Sequence, residues 1–326
     1  MSDITIREAT AADLPAVLAL LADSMARDSG DPRFEALYRW KHEENAFGES
    51  PAWVAVDGDR IAGLRVFMRW EFLLDGRAVR AVRAVDTATH PDYQGRGIFT
   101  KLTMHALDAV RADGVDFVFN TPNDQSRPGY LKMGWEVVGK LPVSVRPRSV
   151  PALARMVAAR VPAQRWSAPS TAGEAAADVL ADEAALASLL ETQPVVPGLR
   201  TRVDSGFLRW RYGSPLLSYR AVAASGGVAG GLVLFRVRRR GRAREAVLCE
   251  VLAPEADVRM VRALVAAAFR QVDADYVMRL GGPPIGRDRF VRLPGQGPVL
   301  TRRAAASEPP AALTAWRLTL GDVELF

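Results

Sequence analysis

The stretch Thr89-His-Pro-Asp-Tyr-Gln-Gly-Arg-Gly-Ile-Phe99 lies between two segments of different hydrophobic periodicity. The run before it, Ala84–Thr89, is strand-like and ends close to a proline, which disfavours helix in the residue that precedes it. After it, apolar residues recur at helical spacing from Ile98 to Val110, and Gly114 marks a helix end. The sequence therefore predicts a strand, a glycine-rich turn and a helix, in this order.

The turn has the composition of an anion-binding loop. Gly95 and Gly97 lack Cβ atoms, so successive backbone N–H groups can point at one anion beside the positive end of the helix dipole. Gln94 and Arg96 add polar contacts. The turn lacks the Lys-Ser/Thr pair of a P-loop and the three glycines of the dinucleotide fingerprint. The ligand implied by these residues is a phosphate or a pyrophosphate.

The segment Pro91–Ile98 resembles the acyl-CoA-binding motif of the GCN5-related N-acetyltransferases (GNAT), written Arg/Gln-x-x-Gly-x-Gly/Ala. In that family the loop amides hold the coenzyme A pyrophosphate, so the resemblance implies that acetyl-CoA or another acyl-CoA binds here as co-substrate, without a metal. Phe99 departs from the motif, in which Gly or Ala is usual, and its ring either crowds the coenzyme or packs inward. The coenzyme-binding residues that the resemblance implies in this part of the chain are Thr87, Ala88, Thr89, Gln94, Gly95, Arg96, Gly97, Ile98 and Phe99.

A second segment follows the predicted strand Val115–Phe119 and is similar to the family pattern Asn-x-x-Ala-x-x-x-Tyr-x-Lys-x-Gly-Phe. The matching residues are Asn123, Ser126, Tyr130, Lys132, Gly134 and Trp135. The resemblance implies that Asn123, Ser126 and Lys132 belong to the coenzyme site, and that Tyr130 is the general acid that protonates the leaving thiolate. A phenol suits this role because it stays protonated at pH 7. The alternative is a tyrosine that only packs on a helix face.

A general base is also needed, because an amine must lose a proton before it attacks a thioester. Asp86 lies on the strand that leads to the loop, where the family often places an acidic residue or a histidine; the alternative is a structural carboxylate that caps nearby backbone. The second candidate is the C-terminal carboxylate of Phe326. Residues 316–326 are predicted to form an ordered strand, and the Eis-type acetyltransferases resemble this chain in placing a C-terminal carboxylate in the active site.

The second half of the chain repeats features of the first. Arg39-Trp-Lys41 has an echo in Arg209-Trp-Arg211, and Pro142–Arg146 has one in Pro298–Arg302. In place of the glycine loop the second half has Ala253-Pro-Glu-Ala-Asp257, whose acidic charge would repel a pyrophosphate. We therefore predict an α/β (α+β) fold with two tandem GNAT-like domains, each a mixed, mostly antiparallel sheet flanked by helices. The predicted bounds are a catalytic domain at 1–148, a helical linker at 149–200 and a degenerate domain at 201–326.

Composition narrows the class of protein. The chain has 326 residues, of which 49% are hydrophobic, enough for two cores. No apolar run reaches membrane-spanning length, and charged residues precede the first apolar stretch, so neither a membrane segment nor a signal peptide is expected. The single cysteine, Cys249, suits a cytoplasmic location.

The charge of the chain raises the question of nucleic-acid binding, because the net charge is +6 and Arg236–Arg244 carries six arginines. This run spans a predicted hairpin tip and contains no aromatic residues that could stack on bases, so nucleic acid is not an expected partner.

Three functions stay open at this point. The first is an N-acyltransferase that acts on a small-molecule amine, as a monomer or homodimer. The second is a non-catalytic module that binds acyl-CoA or a partner. The third is a protein or peptide N-acetyltransferase. Two packed domains more often enclose a cleft than an extended groove, which favours the small substrate.

Overall fold

The computed structural model describes residues 4–24, 31–281 and 288–324. Its strands are β1 (Thr5–Glu8), β2 (Ala52–Asp57), β3 (Arg60–Leu74), β4 (Arg77–Thr89), β5 (Phe117–Asn120), β6 (Glu136–Lys140), β7 (Val143–Pro147), β8 (Glu174–Ala175), β9 (Leu199–Thr201), β10 (Arg220–Ala224), β11 (Gly227–Arg240), β12 (Ala243–Leu252), β13 (Tyr276–Leu280), β14 (Val291–Arg292) and β15 (Val299–Ala304). Its helices are α1 (Leu14–Ser24), α2 (Arg33–His42), α3 (Ile98–Ala112), α4 (Arg127–Lys132), α5 (Val150–Ala158), α6 (Ala176–Val179), α7 (Glu183–Glu191), α8 (Ser205–Gly213), α9 (Val258–Gln271) and α10 (Leu320–Val323). Of the helices in these ranges, none is long and apolar enough to cross a membrane.

The chain forms two compact units. The first unit comprises Met1–Gly139 and Pro298–Ala315, and the second comprises Lys140–Gly297 and Trp316–Phe326. These bounds differ from the domains predicted from the sequence, which were continuous. The reason is that the two halves exchange strands: β7 joins the sheet of the second unit through β13, whereas β15 joins the sheet of the first unit through β5. The paired segments around Pro142 and Pro298 are thus equivalent in sequence but crossed in the fold.

The first unit contains a sheet with the strand order β1-β2-β3-β4-β5-β15-β6. The Asp57-Gly58 and Asp75-Gly76 pairs lie at hairpin turns, and Asp75 and Gly76 both have positive φ, as a type I′ turn requires. Strands β4 and β5 are parallel and pair only from Ala81–Phe117 to Arg83–Phe119. Beyond Arg83, β4 runs on to Thr89 without β5, so this end of the strand is left open on that side.

Helices cover both faces of this sheet. Helix α3 packs Ile98, Leu102 and Ala106 against one face. Helix α1 packs its own apolar residues, Val17 among them, against the other face. Gly63 of β3 permits the close approach of α3, because a Cβ atom there would lie 2.7 Å from Ile98 Cγ2. The start of α3, and with it the glycine loop, is therefore held tightly against the centre of the sheet.

The second unit contains a sheet with the strand order β14-β7-β13-β12-β11-β10-β8. Strands β10, β11 and β12 form an antiparallel meander, and β13 then pairs in parallel with β12 from Glu245–Tyr276 to Val247–Met278. Helix α9 connects β12 to β13 and buries Leu264, Val265 and Ala268 against this sheet. Both units are mixed, mostly antiparallel sheets flanked by helices, which confirms the predicted fold class.

Three sequence predictions need correction. Residues 149–200 do not form a separate linker, since they belong to the second unit, where β8 pairs with β10. The predicted C-terminal strand is wrong over its described part: Thr319 and Asp322 form a capping box that starts the short helix α10. The arginine run is not confined to a hairpin tip, because Arg236 is fully buried within β11 and forms a 2.9 Å salt bridge with Glu324.

Candidate active site

The glycine loop leaves the first turn of α3 open to an anion. Gly95 and Gly97 have φ values of 76° and 75°, in the left-handed region that favours glycine. Gly97 is the N-cap of α3, and no side chain caps the helix. A Cβ atom at either glycine would have nothing within 4 Å, so the backbone conformation, rather than crowding, requires these glycines. The N–H groups at the start of α3 are thus available to a phosphate group.

The polar residues of the loop are exposed. Arg96 lies back over the loop, with its guanidinium carbon 4.9 Å from the centre of the Tyr93 ring and Nη2 donating to the Asp92 carbonyl at 3.1 Å. Gln94 is exposed, whereas Ile98 is buried in the core beneath α3. The structure thus places Gln94 and Arg96 on the solvent side of the turn and Ile98 on the core side.

A β-bulge lies just before the loop. The β3–β4 register shifts between Leu64 and Val66, and Asp86 within the bulge has a φ of 38°, which is unfavourable for a residue with a side chain. Thr87 donates its hydroxyl to the Leu64 carbonyl at 3.1 Å. Ala88 is buried in the core and Thr89 is half-buried. These three residues line the end of β4 that β5 does not cover, where the resemblance implies contact with the coenzyme.

The second predicted motif opens α4. Asn123 Oδ1 accepts hydrogen bonds from the Ser126 backbone N–H at 2.8 Å and from its hydroxyl at 2.9 Å. Asn123 therefore has a structural role in the turn before the helix. Lys132 is exposed at the helix end.

Tyr130 is buried beside the start of α3. Its hydroxyl accepts a hydrogen bond from Arg65 Nη1 at 2.9 Å, and Arg65 Nη2 donates to Thr103 Oγ1 at 2.8 Å. Phe99 packs inward, with its ring edge-on to Tyr130 at 5.4 Å and 5.1 Å from the Arg65 guanidinium carbon. Arg65 is fully buried and forms no salt bridge with any residue in the described ranges. Burial of the Arg65 guanidinium beside hydroxyl and aromatic groups costs folding free energy, because these neighbours carry no negative charge to balance the cation.

Asp86 is held between two basic side chains from the end of α2. The Lys41 ammonium forms a salt bridge with Asp86 Oδ2, and His42 Nε2 lies 2.8 Å from the same oxygen. All three side chains are almost completely buried. Burial lowers the pKa of the His42 imidazole; the hydrogen bond to Asp86 opposes this effect, and the positive charge of Lys41 adds to it. The imidazole is therefore neutral at pH 7.

Sequence reasoning overlooked Arg65, Lys41 and His42. A signal was available for two of them. Arg65 is the one charged residue in the apolar run Ile61–Phe67, and Lys41 continues the apolar stripe that Phe34 and Leu37 begin on α2. The periodicity thus indicates a charged side chain on a buried face, but it does not indicate which residue contacts that charge.

The third predicted catalytic residue, Phe326, lies outside the described residues. The segment before it is anchored within the second unit, where Glu324 forms salt bridges with Arg236 at 2.9 Å and with Arg238 at 2.7 Å.

The first unit also contains a cavity of about 780 Å³ next to the cluster of Lys41, His42 and Asp86. Tyr38 and His42 of α2 line it, together with Ser50, Ala52 and Trp53 at the start of β2. Its charged lining residues are Glu8, Arg39, Glu43, Glu49, Arg69 and Asp113.

Comparisons with known proteins concern the family of the first unit and the fold. Residues 5–138 match the family model of the acetyltransferase (GNAT) domain. This match confirms the GNAT resemblance for that part of the chain. Among curated proteins, none matches the sequence.

Solved structures share the fold over most of the chain. A probable N-acyltransferase from Enterococcus faecalis V583 is 11% identical, with a TM-score of 0.63, and the alignment covers 94% of this chain and 73% of that one. A GCN5-related N-acetyltransferase from Kribbella flavida is 17% identical, with a TM-score of 0.62 and coverage of 96% and 74%. Eis1 from Mycobacterium abscessus is 16% identical, with a TM-score of 0.58 and coverage of 93% and 74%. At these identities the likeness establishes the fold alone.

Proposed function

We propose that the protein is an N-acyltransferase that moves an acetyl or other short acyl group from acyl-CoA directly to a primary amine of a small molecule. The observation that carries the proposal is the uncapped start of α3 behind Gly95 and Gly97. The GNAT domain match over residues 5–138 supports acyl transfer as the chemistry. A cavity of about 780 Å³ within the first unit supports a small acceptor, since pockets for small molecules typically enclose about 300–1,000 Å³.

The chemistry divides between binding and proton transfer. The N–H groups at the start of α3 would bind the coenzyme pyrophosphate, and the open end of β4 from Thr87 to Thr89 would accompany the pantetheine arm. The Tyr130 hydroxyl accepts from Arg65, so its own hydrogen remains available for donation to the leaving thiolate. The negative charge that then forms on the phenol oxygen would be balanced by the Arg65 guanidinium in a buried setting.

The test is a thiol-release screen. Acetyl-, propionyl- and longer acyl-CoAs are offered with aminosugars, polyamines, amino-acid derivatives and lysine-containing peptides, and free coenzyme A is measured. We expect thiol release that depends on a small primary amine. Turnover with peptides alone would favour a protein acetyltransferase. Acetyl-CoA binding by calorimetry without turnover on any amine would favour the non-catalytic module.

A further inference from the structure

We infer that His42 is the residue that accepts the proton of the acceptor amine, and that the cavity it lines is the binding site for a cationic amine. The inference rests on the proposed acyl transfer. It assigns the base to α2, rather than to Asp86 itself or to the C-terminus.

The hydrogen-bond pattern of His42 carries the first step. A neutral imidazole has one N–H donor and one bare nitrogen that accepts. Asp86 Oδ2 lies 2.8 Å from Nε2 and also forms an ion pair with Lys41. The carboxylate is therefore ionised and accepts a hydrogen bond from the Nε2–H group. Nδ1 is then the accepting nitrogen, and it is buried without a hydrogen-bond partner. A bare basic nitrogen held by a carboxylate is the arrangement of a general base with its orienting partner.

The environment keeps this nitrogen unprotonated at pH 7. Burial lowers the pKa of His42, and the nearest charged groups are Lys41, which acts in the same direction, and Asp86 and Glu43, which oppose it. The Tyr38 ring lies edge-on to the imidazole at 4.6 Å, and burial raises the pKa of its phenol, so Tyr38 stays neutral. When the imidazole takes a proton, Asp86 is in place to stabilise the positive charge.

The cavity supplies the second, independent observation. Besides His42, it is lined by Ser50, whose hydroxyl is more than nine-tenths buried and has no hydrogen-bond partner. Two residues that line one cavity thus each have a buried polar atom without a hydrogen-bond partner, which is uncommon in native proteins unless a ligand or a water completes them.

The charge of the cavity selects the ligand. Arg69 is paired with Asp113 at 2.9 Å, and Arg39 is paired with Glu43 at 2.8 Å, so these charges largely cancel. Glu8 and Glu49 remain, and neither forms a salt bridge with a residue in the described part of the chain. The lining is therefore acidic, which favours a protonated amine over an anionic or neutral ligand.

The proton balance of the transfer is complete with these groups. The bound ammonium gives one proton to His42 Nδ1 and becomes a neutral amine. Its nitrogen forms a bond to the thioester carbonyl carbon, and the carbon–sulfur bond breaks. The thiolate takes a proton from Tyr130, and the phenol regains one from the second N–H of the attacking nitrogen. The proton on His42 passes to solvent, so that the products are the amide, free thiol and one proton.

The direct test uses His42→Gln, because the glutamine amide can donate to Asp86 as Nε2–H does but carries no basic nitrogen. With saturating acetyl-CoA and the best amine from spermidine, tyramine, glucosamine and kanamycin, kcat/KM for the amine is measured from pH 5.5 to 9.5. We expect a loss of about 10²–10³-fold near pH 7, within the range of a lost general base. The loss should shrink as the pH rises towards the pKa of the amine, which then arrives neutral, and the KM for acetyl-CoA should hold.

Three outcomes would overturn the assignment. They are an unchanged rate, an acidic limb identical to that of the wild type, and a loss of equal size at every pH, which would indicate a structural role only. Circular dichroism establishes that the variant is folded.

A second variant tests the site without touching the buried cluster. Glu49 is exposed on the cavity wall, and Glu44 is an exposed glutamate of the same loop region that does not line the cavity. Glu49→Gln should weaken spermidine binding, measured by calorimetry, by about 3–10-fold, the size of one partly screened charge pair, and Glu44→Gln should not. Equal affinity in both variants, or no spermidine binding to the wild type, contradicts an acidic amine site. If the wild type binds spermidine at this site but transfers no acyl group to any amine, the proposed function fails while the amine site stands.

Discussion

Helices α3 and α9 occupy equivalent places in the two units, yet their N-termini differ. Each follows an antiparallel meander and a short proline-containing 3-10 turn, at Pro91–Tyr93 and Pro254–Ala256 respectively. At α3 the N-cap is Gly97, which offers no side chain. At α9 the N-cap is Asp257, whose carboxylate accepts from the backbone N–H groups of Arg259 and Met260. The Asp257 carboxylate thus occupies, at the N-terminus of α9, the position that no side chain occupies at the N-terminus of α3.

The backbone before each helix shows the same contrast. Before α3 the residues with positive φ are glycines, Gly95 and Gly97. Before α9 they are Glu255 and Ala256, with φ values of 53° and 50°. Non-glycine residues in this region carry a conformational cost. The two loops therefore reach their helices through different backbone conformations: the N-cap Gly97 has a positive φ, whereas the N-cap Asp257 has a φ of −55°. Only the glycine loop leaves its amides for an external anion.

The largest expected effect comes from making α3 resemble α9. Gly97→Asp places a capping carboxylate where a pyrophosphate would lie, so acetyl-CoA affinity measured by calorimetry should fall by more than about 100-fold. Gly58→Asp is the matched control, because Gly58 also has positive φ, 59°, and open space around it, but lies in the β2–β3 turn. The control should lose similar stability and keep its coenzyme affinity. Equal affinity in a folded Gly97→Asp protein would move the coenzyme site elsewhere.

The next largest effect is expected from a substitution of Tyr130, which lies beside the start of α3. Tyr130→Phe removes the hydroxyl that Arg65 holds and keeps the ring that packs on Phe99. We expect kcat to fall by about 10–10³-fold with acetyl-CoA affinity retained. Full activity from pH 6 to 9 would show that Tyr130 only packs.

A smaller effect comes from the buried carboxylates of the second sheet. Burial raises the pKa of Glu250 to about 8, and the nearby Asp322 adds to this, while hydrogen bonds from Thr319 and Tyr212 oppose it. Glu250 therefore holds its proton more tightly in the folded state than in the unfolded one, where its pKa is about 4.3. Its stabilising contribution is complete below about pH 4 and declines as the pH rises to about 8.

Denaturant unfolding at pH 5, 7 and 9 measures this contribution. The wild type should lose on the order of 1 kcal/mol or more relative to Glu250→Gln over that range. Glu191→Gln, at an exposed site, is the control and should follow the wild type. Parallel pH dependence of wild type and Glu250→Gln would show that Glu250 is ionised in the folded protein.

The smallest effect comes from uncapping α9. Asp257→Ala should lower the free energy of unfolding by about 1 kcal/mol, as should Asp204→Ala, which removes the cap of α8. The number of acetyl-CoA molecules bound per chain should stay at one, because Glu255 still lies before the helix and no glycine is restored. A second bound coenzyme would show that the cap alone separates the two loops.

Much of the first unit was predictable, because its signals are local. The Asp-Gly turns fix two hairpins, and the glycine pair before a periodic apolar run fixes the loop and α3. The strand exchange was not predictable: the similar segments after Pro142 and Pro298 carry the same pattern, and nothing local states which sheet each one joins.

The site was predictable along the chain but not across it. Tyr130 and Asp86 follow from motif spacing, whereas their partners Arg65, Lys41 and His42 come from elements 44 to 65 residues away. Such contacts depend on how α2 and α4 pack on the sheet. The C-terminal helix was missed for a different reason, since a four-residue helix held by the capping box of Thr319 and Asp322 leaves almost no periodicity to read.

The most direct test of the account is a crystal structure of the protein with acetyl-CoA. We expect one coenzyme per chain, with its pyrophosphate on the backbone N–H groups between Gln94 and Phe99. No coenzyme at this loop, or a coenzyme on the residues Ala253–Asp257, would contradict it.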